Sequence, residues 1–127
     1  MKFLLDTHTF IWGCEDSDKL SYAAKKIINS ADNLKYISLA SIWEFSIKYS
    51  MGKLKFEGGL SRLYEIVSQY GLTILPITKT HLANVIDLPF IHRDPFDRLL
   101  IATARAEGIT ILTADDNIHR YDVASLW

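Results

Sequence analysis

Four short apolar runs constrain this chain most: Lys2–Leu5 (KFLL), Leu34–Ser38 (LKYIS), Leu72–Ile77 (LTILPI) and Ile109–Ala114 (ITILTA). Each is too short for a buried helix, and stretches with helical spacing lie between them. A strand that is apolar on both faces must be covered on both faces, which is the condition of a parallel sheet between helices. The βαβα order therefore predicts an α/β fold, a three-layer α/β/α sandwich with a mainly parallel central sheet. Asp122–Trp127 (DVASLW) adds a last strand at an edge.

The intervening segments carry helix signals. Thr7–Glu15 begins a short helix after the first strand. Lys19–Ala31 places Leu20, Ala24, Ile27 and Ile28 at helical spacing, with Ser21 as N-cap. Ser41–Met51 is a helix stopped by Gly52. Leu60–Gly71 puts Leu60, Leu63, Val67 and Tyr70 on one face and stops at Gly71. Thr80–Leu88 is a short helix, and Asp94-Pro95 opens a longer one that Gly108 closes.

At 127 residues and 49% hydrophobic, the chain suits one domain, residues 1–127, with a substantial core. No apolar run approaches the ~20 residues of a membrane span. The opening MKFLLDTHTFIW reaches an acid early and lacks a small-residue cleavage site, so no signal peptide is expected. The one cysteine, Cys14, excludes an intrachain disulfide and a thiolate zinc cluster, and a reducing, cytoplasmic location is expected.

Chemistry concentrates in four carboxylates. Each has a structural account by itself: Asp97 as an acid favoured by the helix dipole, Glu44 as the N3 partner of Ser41 in a capping box, Asp6 and Asp115 as turn residues after strands. Asp94 is explained as N-cap, with Pro95 at N1. Topology brings the four together. Strand ends and the starts of following helices share the carboxyl edge of a parallel sheet, where ligands collect. Two carboxylates ~4 Å apart repel by roughly 4 kcal/mol at an effective dielectric of 20, so a proton or a cation must relieve them. An all-oxygen set favours Mg²⁺ or Mn²⁺ over zinc.

FLLDTH, SIWE before KYSMGKL, DPFDRLLIATA and LTADD, in this order and spacing, resemble PIN-domain nucleases, specifically the VapC-type toxins of bacterial toxin–antitoxin pairs. The resemblance covers essentially the whole chain. It implies a Mg²⁺- or Mn²⁺-dependent endoribonuclease whose acids match Asp6, Glu44, Asp97 and Asp115, with Asp116 competing for the fourth place. Asp94 and Asp116 are implied as supports of the ligands. The resemblance also implies a homodimer silenced by a VapB-like antitoxin, clasped by the helical hairpin between Ser41 and Gly71.

Net charge is −1, which gives no global sign of nucleic-acid binding. The four proposed ligands, however, belong to fifteen acids; the remaining eleven face fourteen Lys and Arg. That surplus can meet RNA phosphates. Arg93 and Arg98 are candidates for phosphate contact, Thr7 and Thr113 for orienting ligands or water. Lys48 is placed for an i,i+4 ion pair with Glu44. The histidines show no paired ligand spacing, and Trp12, Trp43 and Trp127 are assigned to core or dimer packing.

Three rival readings predict other patterns. A signalling receiver domain needs an acidic pair after the first strand and a phosphorylatable Asp after the third; here Asp6 precedes Thr7 and His8, and the third strand ends in LPIT. An Asp-x-Asp phosphatase fails because His8 takes the second acid's place. A non-catalytic interaction domain predicts that the carboxylates are chemically idle.

Overall fold

The computed structural model describes all residues, Met1–Trp127. Five parallel strands, β1 (Lys2–Leu5), β2 (Leu34–Ser38), β3 (Thr73–Leu75), β4 (Thr110–Leu112) and β5 (Ser125–Leu126), form one sheet in the order β3-β2-β1-β4-β5. The last strand is at an edge, as the sequence predicts. Seven helices connect them: α1 (Thr7–Cys14), α2 (Tyr22–Asn29), α3 (Leu39–Ser50), α4 (Gly59–Gln69), α5 (Lys79–Ile86), α6 (Pro95–Glu107) and α7 (Asp116–His119).

The period-2 alternation of a strand explains the layers. On β1, Leu5 joins a core cluster with Phe10, Ile37, Phe45, Leu63 and Val67, whereas Leu4 joins another with Leu100, Ile101, Ile111 and Tyr121. On β4, Leu112 and Ile111 divide the same way. α1 to α4 thus supply one face, and α6 and α7 the other. No helix is long and apolar enough to cross a membrane.

Several sequence expectations shift. The third strand is shorter than Leu72–Ile77, with only Thr73–Leu75 paired to β2. The short helix α7 was not expected. On α4 the buried side chains are Leu63, Ile66 and Val67; Leu60 and Tyr70, at the ends of the expected stripe, are exposed.

The largest shift concerns α3. It starts at Leu39, directly after β2, because Ser38 has an extended backbone and its hydroxyl accepts from Ala40 N. Ser41 is therefore inside the helix, and its buried hydroxyl has no hydrogen-bond partner. Glu44 lies in the second turn, where no capping box can form. This removes the structural account of Glu44.

Candidate metal centre

The strand order reverses at β1, which has β2 on one side and β4 on the other. Such a switch point leaves a crevice at the carboxyl edge. The residues just past β1 and β4 are Asp6 and Thr113, and they meet there: the Thr113 hydroxyl donates to Asp6 Oδ2. Asp6 also caps α1, with Oδ1 accepting from Thr9 N at 2.8 Å. Only 5% of Asp6 is exposed, so both of its oxygens are fixed.

Glu44 is buried just as deeply, at 2%. The Thr7 hydroxyl donates to its Oε1 at 2.6 Å, and Lys48 Nζ to its Oε2 at 2.8 Å. The ion pair expected for Lys48 is thus present. Glu44 in turn holds the Lys48 ammonium above its ordinary pKa, first through that hydrogen bond, against the cost of burial. Thr7 and Thr113 both point their hydroxyls at carboxylates. Thr7→Val, which leaves Glu44 Oε1 without its donor, is expected to keep the fold by circular dichroism and weaken binding of a divalent cation about 10-fold.

Asp97 is the N3 residue of α6. Asp94 is its N-cap and accepts from Phe96 N and Asp97 N at 2.8 and 3.1 Å, with Pro95 at N1 as the sequence predicts. Burial, followed by repulsion from Asp94 and Asp6 and a smaller part from Glu44, pushes the Asp97 carboxyl up to about 7. Asp6, Glu44 and Asp97 therefore share one electrostatic environment, in which burial and mutual repulsion raise the Asp97 carboxyl.

Asp115 caps α7, accepting from Asn117 N at 2.8 Å, and its own N–H donates to Thr113 Oγ1. Burial opposes its charge, but hydrogen bonds from His92 and Asn117 outweigh that and hold Asp115 below the usual carboxylate range. Its neighbour Asp116 is exposed on α7 and takes no part in this network.

His92, which shows no ligand spacing in the sequence, lies between two of the acids: Nε2 hydrogen-bonds Asp115 Oδ2 at 2.8 Å and is 3.0 Å from Asp97 Oδ2. Its position two residues before the helix N-cap was the available signal, but nothing in the sequence says where that ring turns.

Arg98 requires a correction. It is 6% exposed, and its guanidinium donates to the carbonyls of Pro89, Val85 and Leu88 and to the Tyr121 hydroxyl. Its fork is spent on the loop after α5 and is not available to a phosphate. The α6 register turns it away from solvent, one residue after Asp97. Arg93, by contrast, is exposed.

The crevice beside the acids is a cavity of about 230 Å³ lined by Asp6, His8, Trp12, Ala114 and Asp115. A second cavity of about 320 Å³ adjoins it, sharing His8 and Trp12 and adding Thr7, Lys48 and Lys53. Trp12 also packs edge-on against Trp127, and exposed Trp43 against Phe96. An oxygen-rich, buried set in which one acid is held near neutrality for want of a counter-charge fits a hard divalent cation.

Comparison with known proteins gives a consistent family. A family model described as the PIN domain matches residues 3–124. Ribonuclease VapC22 of Mycobacterium tuberculosis is 31% identical over 93% of this chain and 92% of its own. Among solved structures, VapBC2 from Rickettsia felis, bound to a DNA fragment from their promoter, superposes with a TM-score of 0.75 at 19% identity, covering 99% of this chain and 98% of that one. A toxin–antitoxin complex from Klebsiella pneumoniae gives 0.68 at 16% identity, covering 98% and 95%. At those identities the structural likeness is one of fold.

Proposed function

Because the chain belongs to the PIN-domain family, we propose that it is a metal-dependent endoribonuclease, the toxin of a type II toxin–antitoxin pair. The observation that carries this reading is that the charges of Asp94, Asp6 and Glu44 all act on half-buried Asp97, with Asp115 hydrogen-bonded to His92 beside it. The 31% identity to a ribonuclease supports the activity, and the likeness to a toxin–antitoxin complex supports a VapB-like antitoxin as partner.

Asp6, Glu44, Asp97 and Asp115 would hold Mg²⁺ or Mn²⁺. When bound, such an ion supplies Lewis acidity toward a phosphodiester oxygen and lowers the pKa of water. The chain's own contribution is orientation. Thr113 and Thr9 N fix Asp6, Thr7 and Lys48 fix Glu44, and Asn117 N fixes Asp115. Exposed Arg93, and Lys53 on the adjoining cavity, are the cations free to meet RNA phosphates. The products expected are a 5′-phosphate and a 3′-hydroxyl.

Residues 1–127 form one PIN domain in this reading, working in the cytoplasm. A homodimer is supported by exposed apolar side chains, Leu39 and Trp43 on α3, Ile86 at the end of α5 and Phe90 after it, that would gain by burial.

The test is RNA cleavage by the purified chain in Mg²⁺, its loss on adding EDTA, and its return when Mg²⁺ or Mn²⁺ is restored in excess. Cleavage that persists in EDTA overturns the metal reading. Labelling by acetyl phosphate without cleavage would favour the receiver-type alternative.

A further inference from the structure

Asp97 and Asp115 stand on different helices, and one side chain ties them together. His92 Nε2 hydrogen-bonds Asp115 Oδ2 at 2.8 Å and lies 3.0 Å from Asp97 Oδ2, and the three groups are close enough to share an ion as ligands. The ring's tautomer decides between ligand and donor. Asp94 N–H donates to His92 Nδ1 at 3.1 Å, which requires a lone pair on that nitrogen. A neutral ring that accepts at Nδ1 carries its proton on Nε2. Metal-ligating histidines show the opposite arrangement, donating from the ring nitrogen that faces away from the ion.

We propose that His92 is a positioning residue of the metal centre, an N–H donor that clips Asp115 in place beside Asp97 and is not itself a ligand. This rests on the metal-binding reading above. His92 Nε2 lies 3.0 Å from Asp97 Oδ2 while hydrogen-bonding Asp115, and the Asp97 carboxylate is left for the cation. Without the clip, Asp115 Oδ2 would lose its donor and only Oδ1 would be held, by Asn117 N.

The clip is itself anchored. Ile91 N and His92 N both donate to the Tyr121 hydroxyl, at 3.1 and 2.9 Å. That hydroxyl donates to Pro89 O at 2.7 Å and accepts from Arg98 Nη1 at 3.2 Å. Three buried or half-buried groups thus set the backbone from which the ring projects, and Asp94 N–H sets its tautomer. So much hydrogen bonding spent on one loop is explained if the ring's position matters.

The experiment is Mn²⁺ titration of the full chain, followed by electron paramagnetic resonance of the free ion, alongside thermal unfolding of the metal-free protein. His92→Phe is expected to weaken Mn²⁺ binding about 10–100-fold. His92→Gln, whose amide N–H can reach the same carboxylates, is expected to recover most of that loss. Tyr121→Phe keeps the ring but frees its backbone, and should weaken binding in the same direction by a smaller factor. It also serves if His92→Phe does not fold.

Binding by His92→Phe as tight as wild type overturns the proposal, as does a glutamine variant no better than the phenylalanine one. So does nitrogen coupling from the imidazole to bound Mn²⁺ in pulsed resonance, because it makes His92 a ligand. A wild-type chain that binds no Mn²⁺ fails the metal reading itself. Tight binding by wild type and His92→Phe alike leaves that reading intact and removes only the role of His92.

Discussion

Asp97→Asn is expected to raise the melting temperature of the metal-free protein at pH 8 while lowering metal-dependent RNA cleavage more than ~100-fold. The two effects have one origin. Burial and the charges of Asp94, Asp6 and Glu44 raise the Asp97 carboxyl from 3.8 to about 7. A raised folded-state pKa means that the fold prefers the protonated acid. Below about pH 4 both folded and unfolded chains are protonated there, and no penalty applies. As pH rises toward 7 the unfolded chain ionises first, so stability is lost progressively, and the loss is complete once the folded acid has ionised.

Above pH 7 the cost from Asp97 is on the order of 2–4 kcal/mol. Asparagine keeps the shape and removes the charge, so it recovers that amount as roughly 3–5 °C per kcal/mol. Scanning calorimetry at pH 5 and pH 8, with EDTA present, checks the sign: the variant's advantage should be small at pH 5 and large at pH 8. An asparagine variant less stable than wild type at pH 8 would show that Asp97 is a favourable helix-dipole acid and carries no ionic strain.

Arg98→Ala is expected to destabilise the fold by about 2–4 kcal/mol. The substitution leaves the carbonyls of Val85, Leu88 and Pro89 and the Tyr121 hydroxyl without their shared donor. Arg98→Lys should fail almost as badly, because a point charge cannot replace a planar fork across several acceptors. Urea denaturation measures the loss. A change below about 0.5 kcal/mol, with weaker binding of RNA, would return Arg98 to the surface role that its position beside Asp97 first suggested.

Fold and site differ in how far they can be read from residues. The sheet was legible because strands buried on both faces leave uninterrupted apolar runs, and KFLL and ITILTA are such runs. The N-caps Ser21 and Asp94 were legible because a cap is local chemistry. The start of α3 was not: Ser38 and Ser41 can both cap, and the choice was made by where β2 ends in the sheet.

Asp6, Asp97 and Asp115 could be picked out as candidates because the edge of a parallel sheet gathers strand ends and helix starts whatever the loops do; Glu44 lies a turn further into α3 than its spacing from Ser41 predicted. His92 and Arg98 depend on the loop between α5 and α6 and on Tyr121, more than twenty residues further along the chain. No periodicity connects them. A histidine beside a helix cap and an arginine beside an acid look like surface residues until that loop is folded over them.

The central claim is that these carboxylates exist to hold a divalent ion, and isothermal calorimetry of Mn²⁺ binding in buffers of different ionisation enthalpy tests it most directly. With Asp97 held at about 7 in the free protein, binding at pH 6 should release most of one proton, binding at pH 8.5 almost none, and affinity should rise between them. No heat of binding at either pH, or a proton release that survives in Asp97→Asn, would contradict it.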